Sequence, residues 1–240
     1  FDAYQVRSLI DALRQDLSVS QATLVQIEWL QLPLLIRQHD YVPKALESQL
    51  ASDPGYFHQV ITWAYRSRHA DKRDASAGDA HTAQRAINLL TEWRTPPGTT
   101  PDGGLDGTHF KTWLEQARTL CADTGHLQVG LTHIGQVLAH SPQDPDGLWI
   151  HRAIAEALNA PESDEMRRGY VFGETNTGEF HWVDPTGEAE RAQAATYRGK
   201  ADAVENAGYP RFAHTLRAMA ADHDREAQRN IDDHAHDQDD

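Results

Sequence analysis

Ser52-Asp53-Pro54-Gly55-Tyr56-Phe57-His58-Gln59-Val60-Ile61-Thr62-Trp63-Ala64-Tyr65 is the stretch on which the fold is read. Asp53 brings a side-chain oxygen to the free amides of a helix start, and Pro54 suits the first turn, where its missing N–H is not needed. Behind them Phe57, Val60, Ile61, Ala64 and Tyr65 recur at i, i+3, i+4, i+7 and i+8, one apolar stripe on a 3.6-residue period. A strand alternates every second residue and does not produce that spacing.

The same period extends in both directions. Upstream, Val6, Leu9, Ile10, Leu13 and Leu17 share a face, and Ser18 or Ser20 caps a second helix carrying Leu24, Ile27, Leu30, Leu34 and Leu35. Pro33 lies inside that run and predicts a kink or a break. Pro43 is placed as the first helical residue of Lys44 to Leu50. Downstream, residues 68–78 are polar and mixed in charge and read as a loop. Asp79 opens a helix with Ala83, Ala86, Ile87, Leu90 and Trp93 inward. Thr108 caps another, striped by Phe110, Trp113, Leu114, Ala117, Leu120 and Cys121 and stopped by Gly125. Val129 to His140, Trp149 to Leu158, Glu188 to Asn206 and a last helix with Phe212, Leu216, Met219 and Ala220 complete the series.

One stretch departs from the period. In Gly169 to Val183, Tyr170 and Phe172 precede Asn176-Thr177-Gly178, and Phe180 and Trp182 follow it, which reads as a β-hairpin. The expected fold is therefore all-α, an irregular array or bundle of about eight or nine helices with one β-hairpin near residues 169–183. The densest breaker cluster, Thr95 to Gly104, holds three prolines and three glycines. It leaves two organisations open: a single helical domain over 1–240, or two lobes, 1–94 and 105–230, joined there. Residues 231–240 are acidic and nearly free of apolar side chains, and are expected to be a disordered tail that ends the protein. The chain begins in mid-pattern at Phe1 and is expected to be a cut or processed piece of something longer, with simple removal of a first Met as the rival reading.

Composition narrows the partners. Of 240 residues, 22 are Lys or Arg and 36 are Asp or Glu, a net charge of -14. That disfavours general nucleic-acid binding, which needs cations against phosphate, and docking on anionic lipid. A single cysteine, Cys121, excludes an intramolecular disulfide and any multi-cysteine metal site. No apolar run reaches the roughly 18 residues of a membrane span, and the first twenty residues lack a signal peptide's layout. A soluble, cytoplasmic protein is expected.

Templates for chemistry fail in turn. There is no His-Glu-x-x-His, nucleophile elbow or phosphate loop. Asp102 to Gly107 begins like a calcium loop, but its third position is Gly104 and its twelfth Trp113. Cys121 sits on an apolar stripe and reads as a small hydrophobe. Of fourteen histidines, His133 and His140 lie seven apart, and His234 and His236 stand among aspartates; each reads as structural or solvated rather than ligating. Asp164-Glu165 and Glu188-x-Glu190 read as acidic helix surface. Arg66, Arg68, Lys72 and Arg73 form a basic cluster broken by Asp71 and Asp74. The candidate interaction residues are Arg167, Arg168, Tyr170, Phe172, Phe180 and Trp182, because arginine and aromatics are the types enriched where partners bind. No catalytic residue, metal ligand or cofactor is assigned.

Three segments together resemble the C-terminal helical region of large bacterial proteins that have no assigned activity. They are Trp93-Arg94-Thr95-Pro96-Pro97-Gly98, His133 to His140, and Arg168-Gly169-Tyr170 through Gly173 to Asn176. The resemblance spans most of the chain from about Ile27 and implies a bacterial origin, with no residue role to carry over. The functional expectation is a non-catalytic helical interaction module, its partner another protein or the rest of a larger chain, belonging to a larger bacterial assembly such as a sensor, effector or defence system. The alternatives are a metal- or carboxylate-dependent hydrolase-like enzyme with His133 or His140 in a cleft, and a small-ligand or peptide sensor built on the aromatic hairpin.

Overall fold

The computed structural model describes residues 2–36, 41–67, 77–177 and 186–237. Among these residues the chain is all-helical, with eleven helices and no strand; one isolated bridge joins Thr99 and Leu105. Two compact units divide it, Phe1–His133 and Ile134–Asp240.

The first unit contains α1 (Ala3–Gln15), α2 (Gln21–Leu35), α3 (Lys44–Ser52), α4 (Pro54–Ala64), α5 (Ala77–Glu92), α6 (Gly107–Asp123) and the start of α7 (Leu127–Leu138). Asp53 caps α4 as its position predicts, accepting from the amides of Gly55 (2.8 Å) and Tyr56 (3.1 Å). The stripe behind it is the core: Phe57, Val60 and Ile61 are fully buried. Phe57 meets Trp93 and Trp113 at centroid distances of 5.5 and 5.2 Å, and the two tryptophans meet at 6.0 Å. Each tilted pair adds about 0.5–1.5 kcal/mol beyond the area it buries.

Pro33 does not break α2, which runs from its Ser20 cap through to Leu35. Glu28, the one ionisable residue of α2, is fully buried. Its Oε2 accepts the amides of Ala45 and Leu46, both at 3.0 Å, and Oε1 accepts from Arg14 and, at 3.3 Å, from the Tyr41 hydroxyl. Pro43 stands at the N-cap of α3 and brings no side-chain acceptor, so a carboxylate from another helix supplies one.

The Thr95–Gly104 cluster, expected as the joint between lobes, is folded into this first unit. Pro96, Pro97 and Gly98 are buried, and Gly98 adopts a φ of +83° with its α-carbon against Phe110. The division between units instead lies within α7.

The second unit holds the remainder of α7 with α8 (Arg152–Asn159), α9 (Asp164–Thr177), α10 (Glu188–Asn206) and α11 (Pro210–Asp237). α10 and α11 form an antiparallel pair joined at Gly208, where φ is +94°. Exposed ion pairs span the two helices: Arg217 reaches Glu205 and Asp202, and Arg198 reaches Asp224. The core beneath them contains Met166, Tyr170, Tyr197, Val204, Phe212 and Leu216.

The hairpin is a correction. Tyr170 and Phe172 lie on α9, where Met166, Tyr170 and Gly173 form a buried stripe of helical spacing. Phe180 and Trp182, the other half of the expected hairpin, lie outside the described residues. α11 also continues through Ile231 to Asp237, into the stretch expected to be disordered.

Candidate functional site

Of the expected interaction residues, the four described, Arg167, Arg168, Tyr170 and Phe172, do not share one exposed face. Arg167 is buried and turned inward: its Nη1 donates to the carbonyls of Leu158 (2.6 Å) and Ala160 (2.8 Å), and its other arm pairs with Asp164. It satisfies the carbonyls left open at the end of α8, a structural task. Tyr170 is fully buried, edge-on to Phe212 at 5.1 Å. Arg168 is exposed and paired with Glu165 at 2.9 Å, and Phe172 is 59% exposed.

His133 is buried, its Nε2 2.8 Å from the Tyr65 hydroxyl. Beside it, His58 and His126 each reach Thr124 Oγ1 at 2.9 Å, and His126 Nε2 donates to the Tyr65 carbonyl at 3.1 Å. Burial, reinforced by the neighbouring His126, lowers the pKa of His58. These contacts tie the end of α4 to the α6–α7 turn. Among the described residues, no carboxylate lines the adjoining cleft of about 390 Å³, so none of them places an acid beside His133 there. Cys121 is buried against Gly130, and burial pushes its thiol up to about 12, which removes it as a nucleophile at neutral pH. Asp106, from the would-be calcium loop, caps α6 instead, through the amides of Thr108 and His109.

The groove with convergent polar groups lies in the second unit, between α9, α10 and α11. It encloses about 500 Å³, and Glu174, Glu190, Tyr197, Asp222, His223 and Glu226 line it; among the described residues no Lys or Arg does. At its inner end Glu174 accepts from the hydroxyls of Tyr170 (2.7 Å) and Tyr197 (3.0 Å) and from Lys200 Nζ (3.2 Å). The ammonium also rests over the rings of Trp149 (4.8 Å) and Tyr197 (5.2 Å). Burial, then the Glu174 charge, raises the Tyr197 hydroxyl to about 12 and the Tyr170 hydroxyl well above its ordinary value, so both stay protonated and donate.

Nearer the mouth, His223 stacks on Tyr197 at 5.4 Å with 12° between the ring planes, and its Nδ1 donates to Glu190 Oε2 at 2.6 Å. Glu226, one turn along α11, completes a triad: one donor atom from each of Glu190, His223 and Glu226 lies within 4.8 Å of the other two. Sequence reasoning missed this group. Its signal was there in part, since His223 and Glu226 stand at i, i+3 and Glu190 had been marked within an acidic pair. The juxtaposition of α10 with α11 had not been foreseen. Among the described residues no helix is long and apolar enough to cross a membrane. Compared with protein-family models, with curated proteins and with solved structures, the chain matches none.

Proposed function

We propose that the chain is a non-catalytic helical interaction module that serves a larger assembly through the outward face of α2. The supporting observation is the character of that face. Leu30 is 60% exposed, Ala22, Gln26 and Pro33 are exposed beside it, and Trp29 and Leu34 are half-buried at its margins. The helix carries no charge that reaches solvent, in a chain one quarter of which is charged. Helices that are apolar all round belong inside larger structures, and an uncharged face calls for an uncharged counterpart. The occupant proposed is an amphipathic helix of a partner protein, laid with its apolar stripe along Leu30.

The buried Cys121 makes a clean test possible, because an engineered surface thiol reacts alone. A photo-crosslinker at Gln26→Cys or at Ala22→Cys, used in the protein's own cells, captures the same protein from both positions and not from Glu115→Cys on α6. That protein, once purified, binds the chain, and binds the Leu30→Asp variant at least ten-fold more weakly. Capture no different from the Glu115→Cys control overturns the reading. A covalent dimer of the chain overturns the partner, replacing it with a second copy.

A further inference from the structure

We propose that Glu190, His223 and Glu226 form a binding site for one divalent transition-metal ion, of the zinc-to-manganese range, at the mouth of the α9–α10–α11 groove. The donor set carries the argument first. One imidazole nitrogen and two carboxylates, contributed by two helices, suit borderline ions better than the all-oxygen shells of calcium or magnesium. Geometry carries it second. The three donor atoms already lie within 4.8 Å of one another. Metal bonds of about 2.0–2.2 Å require donors roughly 3–3.5 Å apart: turning the exposed Glu226 side chain brings it in, while His223 and Glu190, 2.6 Å apart, open slightly as the proton they share is released to solvent on metal binding. His223 is held for the task, its ring flat on Tyr197 and its position set by Glu190.

Charge carries it third. Residues 134–240 contain 10 basic against 21 acidic side chains, whereas residues 1–133 contain 12 against 15, so the acidity of the chain is gathered in the second unit. Among the described residues no Lys or Arg pairs with Glu190 or Glu226, while Glu174, deeper in the same groove, is matched by Lys200. A divalent cation would neutralise two carboxylates that no described Lys or Arg offsets. Three protein ligands also leave coordination positions open toward the groove, where water or an oxygen of a small ligand would complete the shell.

The experiment is titration of the full chain with Zn2+ and Mn2+, and with Mg2+ and Ca2+ for comparison, followed by calorimetry. Co2+ absorption serves as an independent signature of coordination. The expected result is one ion per chain, zinc tighter than manganese and both tighter than magnesium or calcium. Glu226→Gln changes an exposed side chain, so it leaves the fold intact, and it weakens zinc at least ten-fold; Glu190→Gln does likewise, and His223→Ala removes the cobalt spectrum. His234→Ala with His236→Ala tests the tail as a rival chelator and leaves the affinity within about two-fold. Binding that survives Glu190→Gln and Glu226→Gln, or that disappears with the two tail histidines, overturns the site. So does the absence of a saturable single equivalent.

Discussion

Glu28 shows how much of the first unit depends on one side chain. A carboxylate without solvent contact is tolerated only when its lone pairs are filled, and here the Ala45 and Leu46 amides, Tyr41 and Arg14 fill them. Glu28→Ala removes the cap from α3 and leaves Arg14 facing a void, and urea unfolding followed by tryptophan fluorescence is expected to show a loss of about 3 kcal/mol or more. A loss under about 1 kcal/mol would mean that water reaches those amides and that the carboxylate is dispensable. The sequence did hold a trace of this residue: Glu28 is the lone charge in fifteen residues that are otherwise neutral. A solitary charge on an apolar helix has either a buried partner or a function. What it partners is a tertiary fact, since Arg14 and Leu46 lie on different helices, and periodicity along one helix does not reveal it.

At the scale of elements, the period argument transferred wherever a stripe was long, although the cap of α6 is Asp106 rather than Thr108. Asp53 and Pro54 start α4, and Glu188 to Asn206 is α10 to the residue. It failed at α9, where two aromatics in alternation were given the weight of a strand although Met166, Tyr170 and Gly173 supplied a helical stripe. The two aromatics consequently have opposite fates. Tyr170→Ala opens a cavity under α11 and is expected to cost about 3–5 kcal/mol, whereas Phe172→Ala stays within about 0.5 kcal/mol; equal losses in thermal melts would contradict the burial of one and the exposure of the other. Glycines on neighbouring helices make a second contrast. A β-carbon on Gly135 would fall 1.9 Å from the Met166 carbonyl oxygen, so α7 and α9 pack at a distance that only glycine allows. Gly135→Ala is expected to cost about 1–3 kcal/mol. At Gly199, mid-helix in α10, an added β-carbon meets nothing within 4 Å, and alanine is expected to stabilise by about 0.5–1 kcal/mol. The same substitution thus changes sign between two helical positions, and denaturant midpoints of the two variants read it directly.

For the molecule as a whole, composition reported a sum where the fold has a distribution. Net charge alone does not disclose that residues 1–133 carry -3 and residues 134–240 carry -11, because where the chain divides is decided by packing. The proline- and glycine-rich cluster was the legible boundary, yet Pro96, Pro97 and Gly98 are buried, and the division falls instead inside α7, between His133 and Ile134. The metal-ligand triad was hidden for the same reason: two of its members are neighbours on α11, but the third arrives only when α10 folds back. Like charges gathered in one unit oppose its compact state, and salt at 0.1 M largely screens that repulsion beyond about 10 Å. The ion pairs between α10 and α11 are solvent-exposed and weigh little against it. Raising NaCl from 10 to 500 mM, with EDTA present to exclude divalent ions, is therefore expected to increase amide hydrogen-exchange protection across α10 and α11 while leaving α4 and α6 nearly unchanged. An equal response in the two units would show that the local imbalance of charge carries no energetic weight, and a fall in protection along α10 and α11 would show that their ion pairs outweigh the repulsion.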